Sequence, residues 1–277
     1  MAGPMIEQFW RRRLRHLTLF LLLAGVGGLW LYWQQQNLGR TSFSSGYVLF
    51  GIVLTLSAYR LRKRWHFLSG LGSSSAWLHF HIYLGFAAFG LFWIHIGFRW
   101  PMGALEQFLA TVFMLITGSG FYGLYLTRTY PKKLTAVGNE VLFEQIPIQR
   151  RQLVRRAEAL ALDSMFQSEI LIEFIDHRLL PFLTRGRSFY YLLFPNGGTR
   201  RTLLTEVENL NRYLASDHQL GTVPLKRLIQ DKDDLDFHYA LQGRLKSWLF
   251  VHVCLTGVLI VLAGLHTLLV HVFEGGF

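Results

Sequence analysis

Five long apolar runs set the strongest limit on how this chain can fold. None of them contains Asp, Glu, Lys or Arg, and they cover residues 17–33, 43–59, 76–98, 107–127 and 247–273. A helix needs roughly 17–25 predominantly apolar residues to cross the core of a bilayer. The runs therefore predict an all-α integral membrane bundle of five transmembrane helices, in contact with membrane lipid.

The charged residues lie between these runs and predict an orientation. The formal net charge is +11, although only 16% of the residues are charged. Basic residues are dense before the first run, after the second and after the fourth, and sparse after the first and third. Because Lys and Arg favour the cytoplasmic side, we expect a bacterial-type inner membrane protein with a cytoplasmic N-terminus and a periplasmic C-terminus. This pattern also argues against nucleic acid, the partner that a basic balance alone suggests.

The runs divide the chain into three parts. We expect four transmembrane helices in residues 1–127, a cytoplasmic soluble insert in 128–246 and the fifth transmembrane helix in 247–277. Apolar residues at helical spacing in 148–163 and 202–216 predict a mostly helical insert. Residues 188–198 favour a short strand or an apolar loop that ends in a turn. The fifth helix is expected to begin near Asp233, and the first run is interpreted as a retained anchor helix.

Histidines recur at one interval in two of the runs. His81 and His95 are fourteen residues apart in the third run, as are His252 and His266 in the fifth. Fourteen residues make almost four helical turns and rise about 21 Å, so each pair lies on one face but is too widely spaced to share a metal. The third and fifth runs are parallel in a five-span bundle. Each helix therefore offers one ligand at a cytoplasmic-side level and one at an outer-side level.

This arrangement predicts two stacked haems. Imidazole is a normal axial ligand of haem iron, and bundles build cofactor sites from facing helices. His81 and His252 are predicted to hold the cytoplasmic-side haem, and His95 and His266 the outer one. The single cysteine, Cys254, leaves no C-x-x-C-H motif for covalent attachment. Polar contact between helices is the alternative for each histidine, but it does not predict a duplicated interval.

Several other polar residues lie at the ends of the runs. Arg99 is placed to contact the propionates of the outer haem, and the candidates at the inner haem are Arg60, Arg62, Arg244 and Lys246. For any single one of these residues, an anchor at the membrane edge is the preferred explanation. His79 and His271 fall outside the repeated pattern and are interpreted as interfacial or hydrogen-bonding residues.

The two histidine segments resemble a known pattern. Residues 81–95 (HIYLGFAAFGLFWIH) and 252–266 (HVCLTGVLIVLAGLH) are similar to the di-haem core of respiratory cytochrome b proteins and to ferric-reductase-type membrane domains. The resemblance covers these helices and their neighbours, and it implies two haem b groups on the four histidines. The chain lacks a P-E-W-Y-type quinol motif, and residues 128–246 lack a G-x-G-x-x-G fingerprint for flavin or nicotinamide.

These patterns favour an electron-transfer subunit of an oxidoreductase complex. We expect it to carry electrons across the membrane between a quinone pool and redox protein partners, either multihaem c-type or iron–sulfur subunits. Two other hypotheses stay open. One is a stand-alone transmembrane reductase of external iron or oxygen, and the other is a non-redox membrane scaffold.

Overall fold

Helices form all the regular structure in the described part of the chain. The computed structural model describes residues 41–64, 73–138, 141–162, 168–214 and 221–273, and these contain no strand. In chain order the helices are α1 Thr41–Arg64, α2 Ser74–His95, α3 Ala104–Ala136, α4 Ile146–Ala161, α5 Glu169–Phe174, α6 Leu180–Thr184, α7 Phe189–Leu193, α8 Gly198–Leu210 and α9 Thr222–Phe273. The all-α part of the predicted fold class is therefore confirmed for these residues.

Among the described residues, three helices have the length and apolar composition needed to cross a membrane. They are α2, α3 and α9, while α1 carries a shorter apolar stretch, Ser42–Ala58. Large apolar side chains lie exposed along them, among them Phe108, Leu115 and Val261. These features indicate a membrane protein in contact with lipid. The first apolar run, 17–33, lies outside the described residues, so the count of five spans stays a prediction.

Two boundaries differ from the sequence-based expectation. Helix α9 begins at Thr222, eleven residues before Asp233, because Leu225 and Ile229 are fully buried in the core and stabilise its first turns. The strand or loop expected in 188–198 is wrong for Phe189–Leu193, which forms α7. The hydroxyl of Ser188 accepts the N–H of Tyr191 at 3.3 Å and so caps this helix.

The chain separates into two compact units, with the divisions falling inside α3 and α9. The first comprises Met1–Phe121 and His252–Phe277, and the second comprises Tyr122–Val251. In the first unit, the rings of Phe92 and Phe113 stack with their centroids 4.3 Å apart at the centre of an apolar core. The predicted insert, 128–246, falls within the second unit, where α4–α6, α8 and the beginning of α9 enclose a core of their own.

Within the second unit, α3 and α9 approach each other closely at Gly123. A Cβ atom built at this position would overlap the indole ring of Trp248. We expect Gly123→Ala to destabilise the protein by about 1–3 kcal/mol, since a rigid ring must move to admit a methyl group. Thermal unfolding of the detergent-solubilised protein, followed by circular dichroism, measures the change.

Gly243→Ala is the matched control for this substitution. Gly243 lies in α9, and a Cβ atom there would meet only Phe143, at an ordinary contact distance of 3.7 Å. This variant should unfold at or above the wild-type temperature, because Ala favours helix over Gly. Equal melting temperatures for the two variants would show that the helices are not in close contact at Gly123.

Candidate functional site

Helices α2 and α9 carry the four predicted ligands, all within the first unit. His81 lies in the second turn of α2 and His95 is its last residue, while His252 and His266 lie in the second half of α9. All four side chains are partly buried. The fourteen-residue interval is therefore realised on continuous helix in both cases, as the sequence pattern requires.

The structure brings His81 and His252 together. Their ring centroids are 6.5 Å apart, and the ring planes are inclined by 64°. Two imidazoles on opposite sides of one metal ion are expected about 6 Å apart, from two metal–nitrogen bonds of about 2 Å and about 1 Å from each nitrogen to its ring centre. The observed separation therefore fits one metal ion held between the two rings.

The second predicted pair consists of His95, the last residue of α2, and His266, in α9. His266 is close enough to His95 to act on it electrostatically. The Nδ1 atom of His266 is 3.9 Å from Oε1 of Glu106, which lies in the first turn of α3. A carboxylate beside Nδ1 favours Nδ1–H on the imidazole, which leaves Nε2 as the nitrogen suited to a metal.

One histidine of each predicted pair lies beside a Ser-Gly dipeptide. The Oγ atom of Ser45 lies 3.1 Å from Nδ1 of His95, and that of Ser119 lies 3.1 Å from Nδ1 of His252. Gly46 allows α1 to approach the His95 ring, because a Cβ atom there would lie 3.0 Å from Cε1. Hydrogen bonds at Nδ1 fix the ring orientation of metal-bound histidines. The two serines are therefore placed to orient these imidazoles.

Sequence reasoning missed these supporting residues. Ser45 and Ser119 each begin a Ser-Gly dipeptide within an apolar run, and that repetition was the available signal. Glu106 directly precedes run 107–127 in the sequence, and it belongs to the first turn of α3. The fourth histidine, His81, lies against the backbone of Leu56. Each of the four rings thus has a hydroxyl, carboxylate or backbone group beside it.

The residues predicted to contact the haem propionates differ in exposure and in their own contacts. Arg99 is exposed in the turn that follows α2. Lys246, in the second unit, donates to Glu144, and its Nζ atom lies 4.2 Å from the ring centroid of Phe143. The side chains of Arg60 and Arg62 lie outside the described residues. The propionate role of all these residues stays a prediction.

The two other histidines of runs 76–98 and 247–273, His79 and His271, make side-chain hydrogen bonds. The Nδ1 atom of His79 is 2.7 Å from the carbonyl oxygen of Ser75, one turn earlier in α2. His271 bonds the hydroxyl of Tyr47 through Nε2, and its Nδ1 atom is 2.8 Å from the carbonyl oxygen of Thr267. Both side chains are exposed, and these contacts agree with the hydrogen-bonding role expected for them.

The second unit contains a buried ion cluster centred on Asp236. This carboxylate is fully buried and accepts hydrogen bonds from Lys232, at 2.6 and 2.7 Å, from Arg187 at 2.8 Å and from Arg150. Burial lowers the pKa of Lys232 to about 8, against the attraction of Asp236, which raises it. The cluster joins three distant parts of the sequence and was not predicted from it.

Comparisons with models of protein families, with curated proteins and with solved structures find no match for this chain. A function is therefore inferred from the histidine geometry of the first unit, from the residues beside those histidines and from the apolar character of the helices that carry them.

Proposed function

We propose that this chain is a di-haem b-type cytochrome subunit that carries electrons across a membrane between a quinone pool and redox protein partners. One observation carries the proposal. His81 and His252 face each other at a ring separation of 6.5 Å, on two helices that each present a second histidine fourteen residues later. His81 and His252 would hold one haem, and His95 and His266 the other.

The residues around the histidines support binding of a flat macrocycle. When bound, haem b supplies a one-electron iron couple whose potential depends on axial ligation, hydrogen bonding and burial. Ser45 and Ser119 orient their imidazoles through Nδ1. Gly85 follows His81 by one helical turn, and a Cβ atom there would meet nothing within 4 Å. The helix face that carries His81 therefore leaves space at that position.

The interior between the two histidine levels is apolar. Ala88 lies seven residues after His81, and Leu259 lies seven residues after His252, each halfway to the second histidine of the pair, and they are only 3% and 4% exposed. They pack in one cluster with Phe92 and Phe113. These side chains keep water from the space between the two sites and hold the two levels at a fixed separation.

The same proposal includes the membrane in which the protein lies, its orientation and its partners. We place it in a bacterial-type inner membrane with five spans, with the N-terminus and the insert in the cytoplasm and the C-terminus in the periplasm. The alternation of basic residues between the apolar runs supports this orientation. A quinone at the membrane edge and a multihaem c-type or iron–sulfur subunit are the proposed partners, because the sequence shows no flavin or nicotinamide fingerprint of its own.

A haem count on the purified protein tests the proposal. The reduced-minus-oxidised spectrum should show b-type bands, and the pyridine haemochrome should give two non-covalent haems per chain. If the protein lacked these bands, only the hypothesis of a non-redox membrane scaffold would remain. Co-purification of c-type or iron–sulfur subunits would separate the proposed subunit from a stand-alone reductase, which would reduce external ferric iron or oxygen without any partner.

Ser119→Ala should weaken the haem held by His252. The substitution removes the hydroxyl beside Nδ1, and loss of such an outer contact typically weakens metal binding by about 10–100-fold. Transfer of haem to excess apomyoglobin, followed by absorbance, should become faster for one of the two haems. Thr117→Val is the matched control, since this hydroxyl bonds only the carbonyl oxygen of Phe113, in the same helix. Identical transfer rates in the two variants would argue against a role for Ser119.

A further inference from the structure

Helix α7 exposes an aromatic face. Phe189, Tyr190 and Phe194, on and directly after this helix, are 74%, 66% and 63% exposed, and Leu193 is 39% exposed. Phe189 and Leu193 are one helical turn apart, and the ring centroids of Tyr190 and Phe194 lie 5.5 Å apart. Contiguous apolar patches of this kind on a protein surface usually mark a contact with a membrane or with another protein.

The opposite side of α7 is fixed to two longer helices within the second unit. Tyr191 is buried in a cluster with Leu126 and Tyr130 of α3 and with Ala240 and Leu241 of α9. In addition, Nη1 of Arg244 donates to the carbonyl oxygen of Leu193 at 2.9 Å. The exposed aromatic face is therefore held at a defined position along α3 and α9.

At that position the apolar run of α3 ends and the apolar run of α9 begins. Leu126 is the second-last residue of run 107–127, and Leu241 precedes run 247–273 by six residues. On the apolar side of this level, exposed side chains such as Tyr122, Tyr125 and Phe250 have the character of a lipid-facing surface. The aromatic face of α7 thus lies at the level where that apolar surface ends.

Basic residues lie near α7 in the sequence and follow the apolar run of α3. Five exposed cations flank α7 in sequence or follow the apolar run of α3, namely Arg128, Lys132, Lys133, Arg185 and Arg201. Aromatic rings beside Lys and Arg are typical of the membrane–water interface, where the rings enter the boundary between headgroups and acyl chains and the cations attract anionic lipids. The charge and the apolar face therefore suit one occupant, the interface of the bilayer.

We propose that α7 is a membrane anchor that lies in the bilayer interface, with Phe189, Tyr190, Leu193 and Phe194 among the lipids. The anchor fixes the second unit to the membrane surface. It does not depend on haem binding, because each residue that carries it belongs to the second unit and lies away from the histidine pairs in sequence.

Spin labelling of the full chain in nanodiscs of phosphatidylcholine and phosphatidylglycerol tests the anchor. In a Cys254→Ser background, a nitroxide is attached at Tyr190→Cys, and its collision rates with oxygen and with a water-soluble nickel chelate are measured. The label should collide several-fold more with oxygen, relative to nickel, than a label at Tyr213→Cys. Tyr213 is the matched control, since it is an exposed tyrosine of the second unit, after α8, at 78% exposure.

Two results would overturn the proposal. Equal oxygen-to-nickel ratios at positions 190 and 213 would place α7 in water. A label at 190 that is shielded from both reagents would place a protein surface there, either a second copy or a partner. Phe194→Cys repeats the measurement in case Tyr190→Cys does not fold, and unchanged helical circular dichroism verifies folding in each variant.

Discussion

His252→Ala should leave the purified protein with one b haem per chain in place of two. The imidazole of His252 lies opposite that of His81 at 6.5 Å, so its removal takes away half of the axial ligation at one level. The second level, with His95 and His266, keeps both imidazoles. The haem-to-protein ratio from the pyridine haemochrome measures the loss, and low-temperature electron paramagnetic resonance should lose one of two low-spin signals.

The reciprocal variant makes this result specific. His95→Ala should remove the other low-spin signal and keep the one that His252→Ala removes. His79→Ala is the matched control, because His79 is two residues from His81 but is exposed and hydrogen-bonded within its own helix. Two haems in His252→Ala, or one haem in His79→Ala, would contradict the assignment of the ligands.

Asp236→Ala should destabilise the second unit by about 3–5 kcal/mol, since it removes the acceptor of three cationic side chains that are wholly or largely buried. Lys232 is 0% exposed, and the side chains of Arg187 and Arg150 are 11% and 23% exposed. Without the carboxylate, these positive charges stay desolvated and lose their shared partner. Urea titration of the solubilised protein, followed by protease cleavage within 122–251, measures the unfolding of this unit.

Asp234→Ala provides the comparison for that effect. Asp234 lies two residues away on α9 and pairs with Arg200 at 3.2 Å, with both side chains 36% exposed. Pairs exposed to this extent contribute about 0–1 kcal/mol, so this variant should unfold close to the wild-type midpoint. If the two aspartate variants shifted the midpoint equally, burial of the Asp236 cluster would not be the source of the effect.

The sequence predicts well those parts of the fold in which apolar residues form uninterrupted runs or histidines recur at a fixed interval. Uninterrupted apolar runs predict long helices directly, and the histidine interval follows from helical geometry alone. The beginning of α9 could not be read in the same way, because Leu225 and Ile229 stabilise it through contacts with distant residues. The helix α7 depends on the Ser188 cap and on the packing of Tyr191, which a short apolar segment does not reveal.

The residues of the candidate site also differ in whether the sequence predicts them. His81, His95, His252 and His266 are visible in the sequence, because one interval recurs on two runs. Ser45 and Ser119 are not, since a serine in an apolar helix usually bonds its own backbone, as Ser57 does with the carbonyl oxygen of Val53 and as Ser45 also does with that of Ser42. Which serine meets a histidine depends on which helices are neighbours, and that is a property of the tertiary structure.

The apolar layer formed by Ala88, Phe92, Phe113 and Leu259 has an electrical consequence for a protein with the proposed function. Electrons tunnel through tightly packed hydrocarbon, whereas protons need a chain of water or ionisable side chains to cross a membrane. None of these four side chains can relay a proton. An electron that passes this layer therefore opens no path for protons, and the charge it carries across changes the membrane voltage by its own movement alone.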